Sequence, residues 1–448
     1  MRPATVSSSW LGWAFALSGA TGCVAEERDH PTLETGATTP ASESTGSTES
    51  TDASATQGSV DTSPISSSLT SKDSEDTGSD GGSGTAGSPE SDPTGTSWAD
   101  GTDAETGESE PPLPLPTLDP GVIAHIDDVF SAWDQPDSPG CSVAVVQDGA
   151  PAYMQGYGVE NLHDGKPITP RSVFHLASLS KQFTGASIGL LVLDGVVAMD
   201  ATIGTYLLSL PDYAQTIRVR HLMYHTSGLR EYFIGLFSHP HTNQEVIDFL
   251  DTQKLDFATG SAWAYSNTNY VLLAEIVRAR AGKRLREFAQ EHIFTPLDMR
   301  RTEVRDETSS MPNGATKVYE LSGGEWLDTT LSIIPFKAHG DQNIWSSAED
   351  MAKWALNFTD PMVGGSALID LITTSGSLDG DSSAYYAFGL IPEHRAGRPI
   401  VLHEGRSFSY NNHAVYFTDR GDAVIVLCNA GDDAWAPTLA GQVLDIVF

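Results

Sequence analysis

The chain has 448 residues, with 59 acidic against 25 basic side chains and a formal charge of −34 at pH 7. An acidic chain lacks the basic face that phosphate neutralisation needs, which argues against a nucleic-acid partner. Half of the charge falls within residues 1–120, where Ser, Thr, Gly, Pro and acidic residues dominate.

The first 23 residues read as an export signal: Arg2 gives a basic start, Trp10–Leu17 is a short apolar core, and small residues lead to Cys23. The apolar stretch is too short to span a bilayer. Ala20-Thr21-Gly22-Cys23 resembles a bacterial lipobox, which implies lipidation at Cys23 and an exported lipoprotein facing the periplasm or cell surface; an ordinary secretory signal is the alternative. Residues 24–120 cannot bury enough apolar surface to offset their ordering entropy, so a disordered acidic tether is expected there.

From 121 to 448, helix and strand periods appear and continue to Phe448, enough for one large folded part. Gly140–Asn161 reads as two strands joined at Asp148-Gly149, a strong hairpin signal. The pattern predicts a helix over Phe174–Asp194, stopped by Gly195. Residues 196–335 are mostly helical patterns, including Asn243–Asp251 and Tyr270–Ala281. Ser346–Asn357 reads as another helix, with Ser346 and Glu349 spaced as a capping box. After 384 come short β-type runs, and Trp435–Phe448 reads as a closing helix. The expected fold is therefore α/β (α+β): an antiparallel sheet built from 140–160 and 384–430, flanked by helices, with a mainly helical second lobe over about 196–335. Cys141 and Cys428 lie in strand-like runs; two buried small hydrophobes are the expected state, and a disulfide is the alternative.

Three motifs carry possible chemistry. Ser178-Leu179-Ser180-Lys181 opens the first helical run, and no other lysine has a serine three positions before it. On a helix both side chains share one face. A serine hydroxyl needs a base, and a desolvated lysine can be that base; the bland alternative is a capping serine and a solvated lysine. Tyr265-Ser266-Asn267 enters a second apolar helix, where Tyr265 can relay a proton and Asn267 can hold Lys181 or a substrate carbonyl. A second Tyr-x-Asn, Tyr410-Asn411-Asn412, reads as a turn between strands. His403-Glu404-Gly405 ends a strand, with His403 placed to bond substrate or the Lys181–Tyr265 pair, and Gly405 leaving room for a ligand at the strand edge.

In this order and rough spacing, SLSK, YSN and HEG resemble the serine β-lactamase and penicillin-binding protein superfamily, above all its class C β-lactamase and family VIII esterase-like branch. The flanks HTSGL (225–229), PLDMRRT (296–302) and IWSSAEDMAKW (344–354) are similar to recurring stretches of that family. The resemblance implies a β-lactamase/transpeptidase-like fold and a serine hydrolase working through an acyl-enzyme, without cofactor or metal. It makes Ser178 the acylated nucleophile. It shares general-base work between Lys181 and Tyr265 and lets Asn267 orient substrate or Lys181. It places the oxyanion on the backbone N–H groups of Ser178 and Arg406. His403 stands where β-lactamases usually carry a lysine that binds a substrate carboxylate. That favours small esters, amides or D-amino-acid peptides over β-lactams, with Arg406 as a substitute anchor. A β-lactamase or D,D-carboxypeptidase proper, and a non-catalytic cell-wall or ligand-binding module, are the competing readings. The expected partner is a small-molecule or cell-wall peptide substrate, with the membrane touched only through the lipid anchor.

Histidines suggest metal less well. His221 and His225 are four apart, but His225 lies in the turn-like HTSGL, where bracing by hydrogen bonds is expected. An adhesin role for the Ser/Thr-rich arm lacks the aromatics of an interface.

Overall fold

The computed structural model describes residues 112–114, 116–234, 242–379 and 385–448. The leader, Cys23 and nearly all of the acidic tether lie outside the described residues.

The expected sheet is present. Its strands are β1 (Cys141–Gln147), β2 (Ala150–Tyr157), β3 (Ile391–Arg395), β4 (Arg398–Ser407), β5 (Tyr410–Phe417) and β6 (Ala423–Cys428). They form one six-stranded sheet in the order β3-β4-β5-β6-β1-β2, with every pair antiparallel. Asp148 (φ +51°) and Gly149 (φ +72°) are both left-handed, as a two-residue hairpin turn between right-twisted strands requires.

β1 and β6 are apolar along nearly their whole length because both sheet faces are covered. Val143, Val145, Val424 and Val426 meet Ile126 and Phe130 of α1 (Pro120–Phe130) and Leu439 and Val443 of α5 (Ala436–Val447). The alternate residues Ala144, Ile425 and Leu427 join a larger core with α2 (Lys181–Leu193), α3 (Asn267–Ala281) and α4 (Ala348–Leu356). Most of α2 is buried, so it lacks the polar stripe of a surface helix.

Four local expectations change. The helix placed over Phe174–Asp194 begins only at Lys181: Phe174–His175 pairs as a strand with Ile344–Ser346, and Ala177–Ser180 is a 3₁₀ turn. The cap of α4 is Ser347, one residue later than expected, and its Oγ accepts the Asp350 N–H at 3.2 Å. Glu349 instead pairs with Arg171 at 2.7 Å. The helical region 196–335 also holds a hairpin, Tyr319–Ser322 with Glu325–Asp328. Cys141 and Cys428 face each other across β1 and β6 and form a disulfide (Sγ–Sγ 2.10 Å), so the expected pair of free buried thiols is replaced by a covalent cross-link. Direct register opposition of two buried cysteines supplies the short separation the bond needs. Among the described residues no helix is long and apolar enough to cross a membrane.

Candidate active site

Ser178 lies on the 3₁₀ turn between the short strand Phe174–His175 and α2. Ala177, just before it, is held at φ +50°. That conformation costs a non-glycine residue about 1–2 kcal/mol and persists only where surroundings impose it. Several contacts do so here. Leu176 N–H donates to Ile344 O at 2.8 Å, and Ile344 N–H donates to Ser180 Oγ at 3.0 Å. From the other side β4 presses in at Gly405, where an added Cβ would lie 2.1 Å from Leu176 O. Gly405 therefore makes room for the chain's own serine turn.

Lys181 is the first residue of α2 and is wholly buried. Its Nζ lies 3.1 Å from Ser178 Oγ, 2.7 Å from Asn267 Oδ1 and 2.8 Å from the main-chain oxygen of Asp341. It also sits over the Tyr265 ring, 4.9 Å from the centroid. Burial lowers the amine to a pKa of about 8, opposed by the negative charges of Asp341 and Glu231. The sequence motif thus forms a contact pair, and the solvated-lysine alternative is set aside.

Tyr265 and Asn267 arrive together because α3 begins at Asn267. His225 brackets the segment, as expected of a bracing residue. Its main-chain oxygen accepts the Ala264 N–H at 3.0 Å, its Nδ1 accepts the Ser266 N–H at 3.1 Å, and its ring lies 4.4 Å from that of Tyr265. Glu231 fixes the helix start, with Oε2 accepting the Asn267 N–H at 2.5 Å, as suits a carboxylate at a helix N-terminus. Burial raises the Tyr265 phenol well above the ordinary tyrosine range; Ser178 pulls it down, and Asp341, Glu231 and Glu404 push it further up. Its hydroxyl is buried beside this pull without a hydrogen bond of ordinary geometry.

His403 is buried on β4, its ring centroid 6.2 Å from that of Tyr265. Nδ1 meets the Glu404 main-chain oxygen at 2.5 Å, and Nε2 meets the Tyr386 hydroxyl at 2.9 Å. A carbonyl can only accept, so Nδ1 carries the proton and Nε2 accepts from Tyr386. Burial, then the charge of Lys181, lowers its pKa to about 3, so the ring is neutral. Both nitrogens are used within the protein, and among the described residues His403 makes no hydrogen bond to Lys181 or Tyr265, unlike the expected link to that pair. The Arg406 guanidinium pairs with Asp432 and lies over Trp435, 5.1 Å from the ring centroid.

The second Tyr-x-Asn is structural, though it lies on β5 rather than in the turn: Tyr410 OH donates to Thr316 O and Asn412 Nδ2 to His175 O at 3.0 Å. His221 separates from His225, taking the Arg218 N–H on Nδ1 at 3.2 Å. Asp341, Glu231, Tyr232 and Tyr386 belong to the site and escaped the sequence reading. Glu231-Tyr232 stands two residues beyond HTSGL, which was the available signal; Asp341 and Tyr386 carried none.

A family model described as Beta-lactamase matches residues 126–446. The chain belongs to the beta-lactamase family. It is 28% identical over 300 residues to a D-aminopeptidase of Gluconobacter oxydans, covering 65% of this chain but only 56% of that relative. It is 26% identical over 328 residues to penicillin-binding protein 4* of Bacillus subtilis, covering 69% of this chain and 72% of the relative. Among solved structures it resembles the D-amino acid amidase of Ochrobactrum anthropi SV3, with a TM-score of 0.63 at 21% identity over 73% of this chain and 99% of that one. This last likeness concerns the fold.

Proposed function

We propose that the protein is a serine hydrolase acting through an acyl-enzyme on small amides, esters or D-amino-acid peptides, with β-lactams poor substrates. One observation carries the reading: the surroundings of Lys181 Nζ. A neutral amine has two N–H donors and one lone pair. The carbonyl oxygens of Asn267 and Asp341 take the two donors, which leaves the lone pair for the Ser178 hydroxyl proton. Ser178 Oγ then bonds to the substrate carbonyl carbon while its proton passes to Lys181. The electrostatics divide the work that the resemblance shared between two groups. Tyr265 is held as a phenol and gives its proton to the departing nitrogen or oxygen as the carbonyl–heteroatom bond breaks. Lys181 then loses the Ser178 proton to solvent and Tyr265 takes one back from solvent, closing the balance. Water then attacks the acyl carbon as Lys181 takes its proton, the bond from Ser178 Oγ to the acyl carbon breaks, and that proton passes from Lys181 to Ser178. The backbone N–H groups of Ser178 and Arg406 serve the oxyanion.

Two features support a substrate bearing an amine rather than a carboxylate. His403 is neutral and fully engaged, and Arg406 is paired with Asp432. The Glu404 carboxyl, partly exposed on β4, acts on Tyr265. The D-aminopeptidase relative points the same way. The disulfide supports an oxidising compartment, in keeping with export and anchoring at Cys23.

Intact mass after a fluorophosphonate probe tests the mechanism: one adduct on the wild type and none on Ser178→Ala is expected. An unlabelled folded wild type returns the protein to the class of binding modules. Turnover of paired D- and L-amino acid amides, with a β-lactam beside them, then tests the substrate class.

A further inference from the structure

We infer that Asp341 is the charge partner of Lys181, a positioning residue whose buried carboxylate offsets, from beyond ion-pair contact, the ammonium formed when Ser178 gives up its proton. The inference rests on the hydrolase reading above and adds a residue to it.

Asp341 is wholly buried in the loop 339–343 that leads into Ile344–Ser346. It grips the site at two points. Its main-chain oxygen accepts from Lys181 Nζ at 2.8 Å, and its Oδ2 accepts the Tyr232 hydroxyl at 2.9 Å. Its Oδ1 is buried without a hydrogen bond. The loop is pinned. Thr184 Oγ1 of α2 donates to Gly340 O at 2.7 Å. Gly340 sits at φ +103° with its α-carbon against α3, where a Cβ would lie 2.4 Å from Tyr270 O. The carboxyl is therefore held in place by both helices that carry the site.

A buried carboxylate is costly unless charge compensates it. The Tyr232 bond does not require a carboxylate, because an asparagine amide oxygen would accept it equally. What the aspartate adds is negative charge, and the cation acting on it is Lys181. The other groups facing Lys181 do not fill this role. His225 and His403 are held neutral by burial and by the lysine's own charge. Tyr265 and Tyr270 present ring faces to it. Glu231 is negative in its ionised form, but both its oxygens are occupied, by the N–H groups of Phe233 at 3.0 Å and Asn267 at 2.5 Å. Asp341, with one hydrogen bond and one bare oxygen, is the group left to answer a change of charge on the amine. Burial raises its carboxyl and lowers the amine, and the charge of each opposes the shift of the other, so the two titrate as a pair.

The test is the pH dependence of acylation by an uncharged fluorophosphonate, which needs no knowledge of the natural substrate. In this step the Ser178 Oγ–P bond forms, fluoride leaves and the hydroxyl proton goes to Lys181. Wild type, Asp341→Asn and Tyr232→Phe are compared, with Ser178→Ala as blank and thermal unfolding as the folding control. In Asp341→Asn the acid limb is expected to move to lower pH by about one unit, because the ammonium loses its opposite charge. The plateau above the limb should fall at the same time, because a weaker base accepts the proton. Tyr232→Phe, which strips the carboxylate of its hydrogen bond, should shift the limb the same way by less. A folded Asp341→Asn whose limb stays at the wild-type pH, or whose rate falls evenly at all pH values, overturns the inference. Should Asp341→Asn not fold, an unmoved limb in Tyr232→Phe overturns it instead. Failure of the parent reading looks different: the wild type is then unlabelled, or Ser178→Ala is labelled as well.

Discussion

The α-carbon of Gly405 faces the carbonyl oxygen of Leu176, so closely that a methyl group would stand 2.1 Å from it. The strand that carries His403 and the turn that carries Ser178 are thereby fitted to one another through bare backbone. Gly405→Ala is expected to push the serine turn off its strand. Overpacking of this kind costs about 1–3 kcal/mol of stability, and acylation should slow sharply with it. Were Gly405 a ligand-contacting residue instead, the variant would raise KM and leave the unfolding midpoint where it was.

Ser178→Ala should abolish the covalent adduct and turnover. Lys181→Met should lower acylation by a factor on the order of 10²–10⁴, the usual weight of a positioned base. It should also destabilise the fold, by about 3–5 kcal/mol where Asp341 is ionised, because removing one partner of a buried charge pair leaves the other uncompensated. Paired rate and unfolding measurements check both. A folded Lys181→Met enzyme of normal rate would remove the lysine from the mechanism.

Acylation by the wild type should rise with pH through about 8, where Lys181 becomes neutral. The stability sign follows from the same shift. The folded-state value lies below the lysine reference of 10.5, so the unfolded chain binds more protons between 8 and 10.5. The lysine's contribution therefore favours the folded state increasingly as pH rises across that window. Comparing denaturant midpoints of wild type and Lys181→Met over pH 8 to 10 isolates it: the advantage of the wild type should widen as pH rises.

Tyr386→Phe should cost about 1–3 kcal/mol by leaving buried Nε2 of His403 without its donor. His403→Lys should raise kcat/KM for carboxylate-bearing substrates relative to neutral ones. An unchanged ratio would show that this position does not govern substrate charge.

Reducing or deleting the Cys141–Cys428 link, as in the double alanine variant, should lower stability by about 2–5 kcal/mol. The bond lies on the sheet face covered by α1 and α5, so acylation at 25 °C should persist in whatever fraction remains folded. Loss of activity without loss of fold would contradict that placement.

The residues Ser178, Lys181, Tyr265 and Asn267 were legible because each stands at the entry to a helix, where local sequence carries a boundary signal. The six-stranded sheet was legible because β1 and β6 are short apolar runs between turn residues. The helix start was placed too early because Phe174, Leu176 and Leu179 satisfy a helical pattern, and nothing in an alanine announces φ +50° at 177. Gly405 was recognised as a place of close approach, but its partner, Leu176, is fixed only by the folded chain. Asp341 and Tyr386 were hidden for the same reason: a lone acidic residue in a polar loop and a tyrosine between Tyr385 and Ala387 acquire meaning from Lys181 and His403.

The order β3-β4-β5-β6-β1-β2 seats the hairpin of residues 141–157 beside strands made from the last part of the chain. The serine turn in turn leans on residue 405. A nascent or threading polypeptide therefore carries Ser178, Lys181 and Tyr265 long before it owns a working centre. Its chemistry is switched on by completion of the carboxyl-terminal strands, since loop closure over such separations precedes any contact that rewards it. A chain cut before Arg398 should take no fluorophosphonate label, and adding the missing strands as a separate polypeptide is the way to ask whether arrival alone is sufficient.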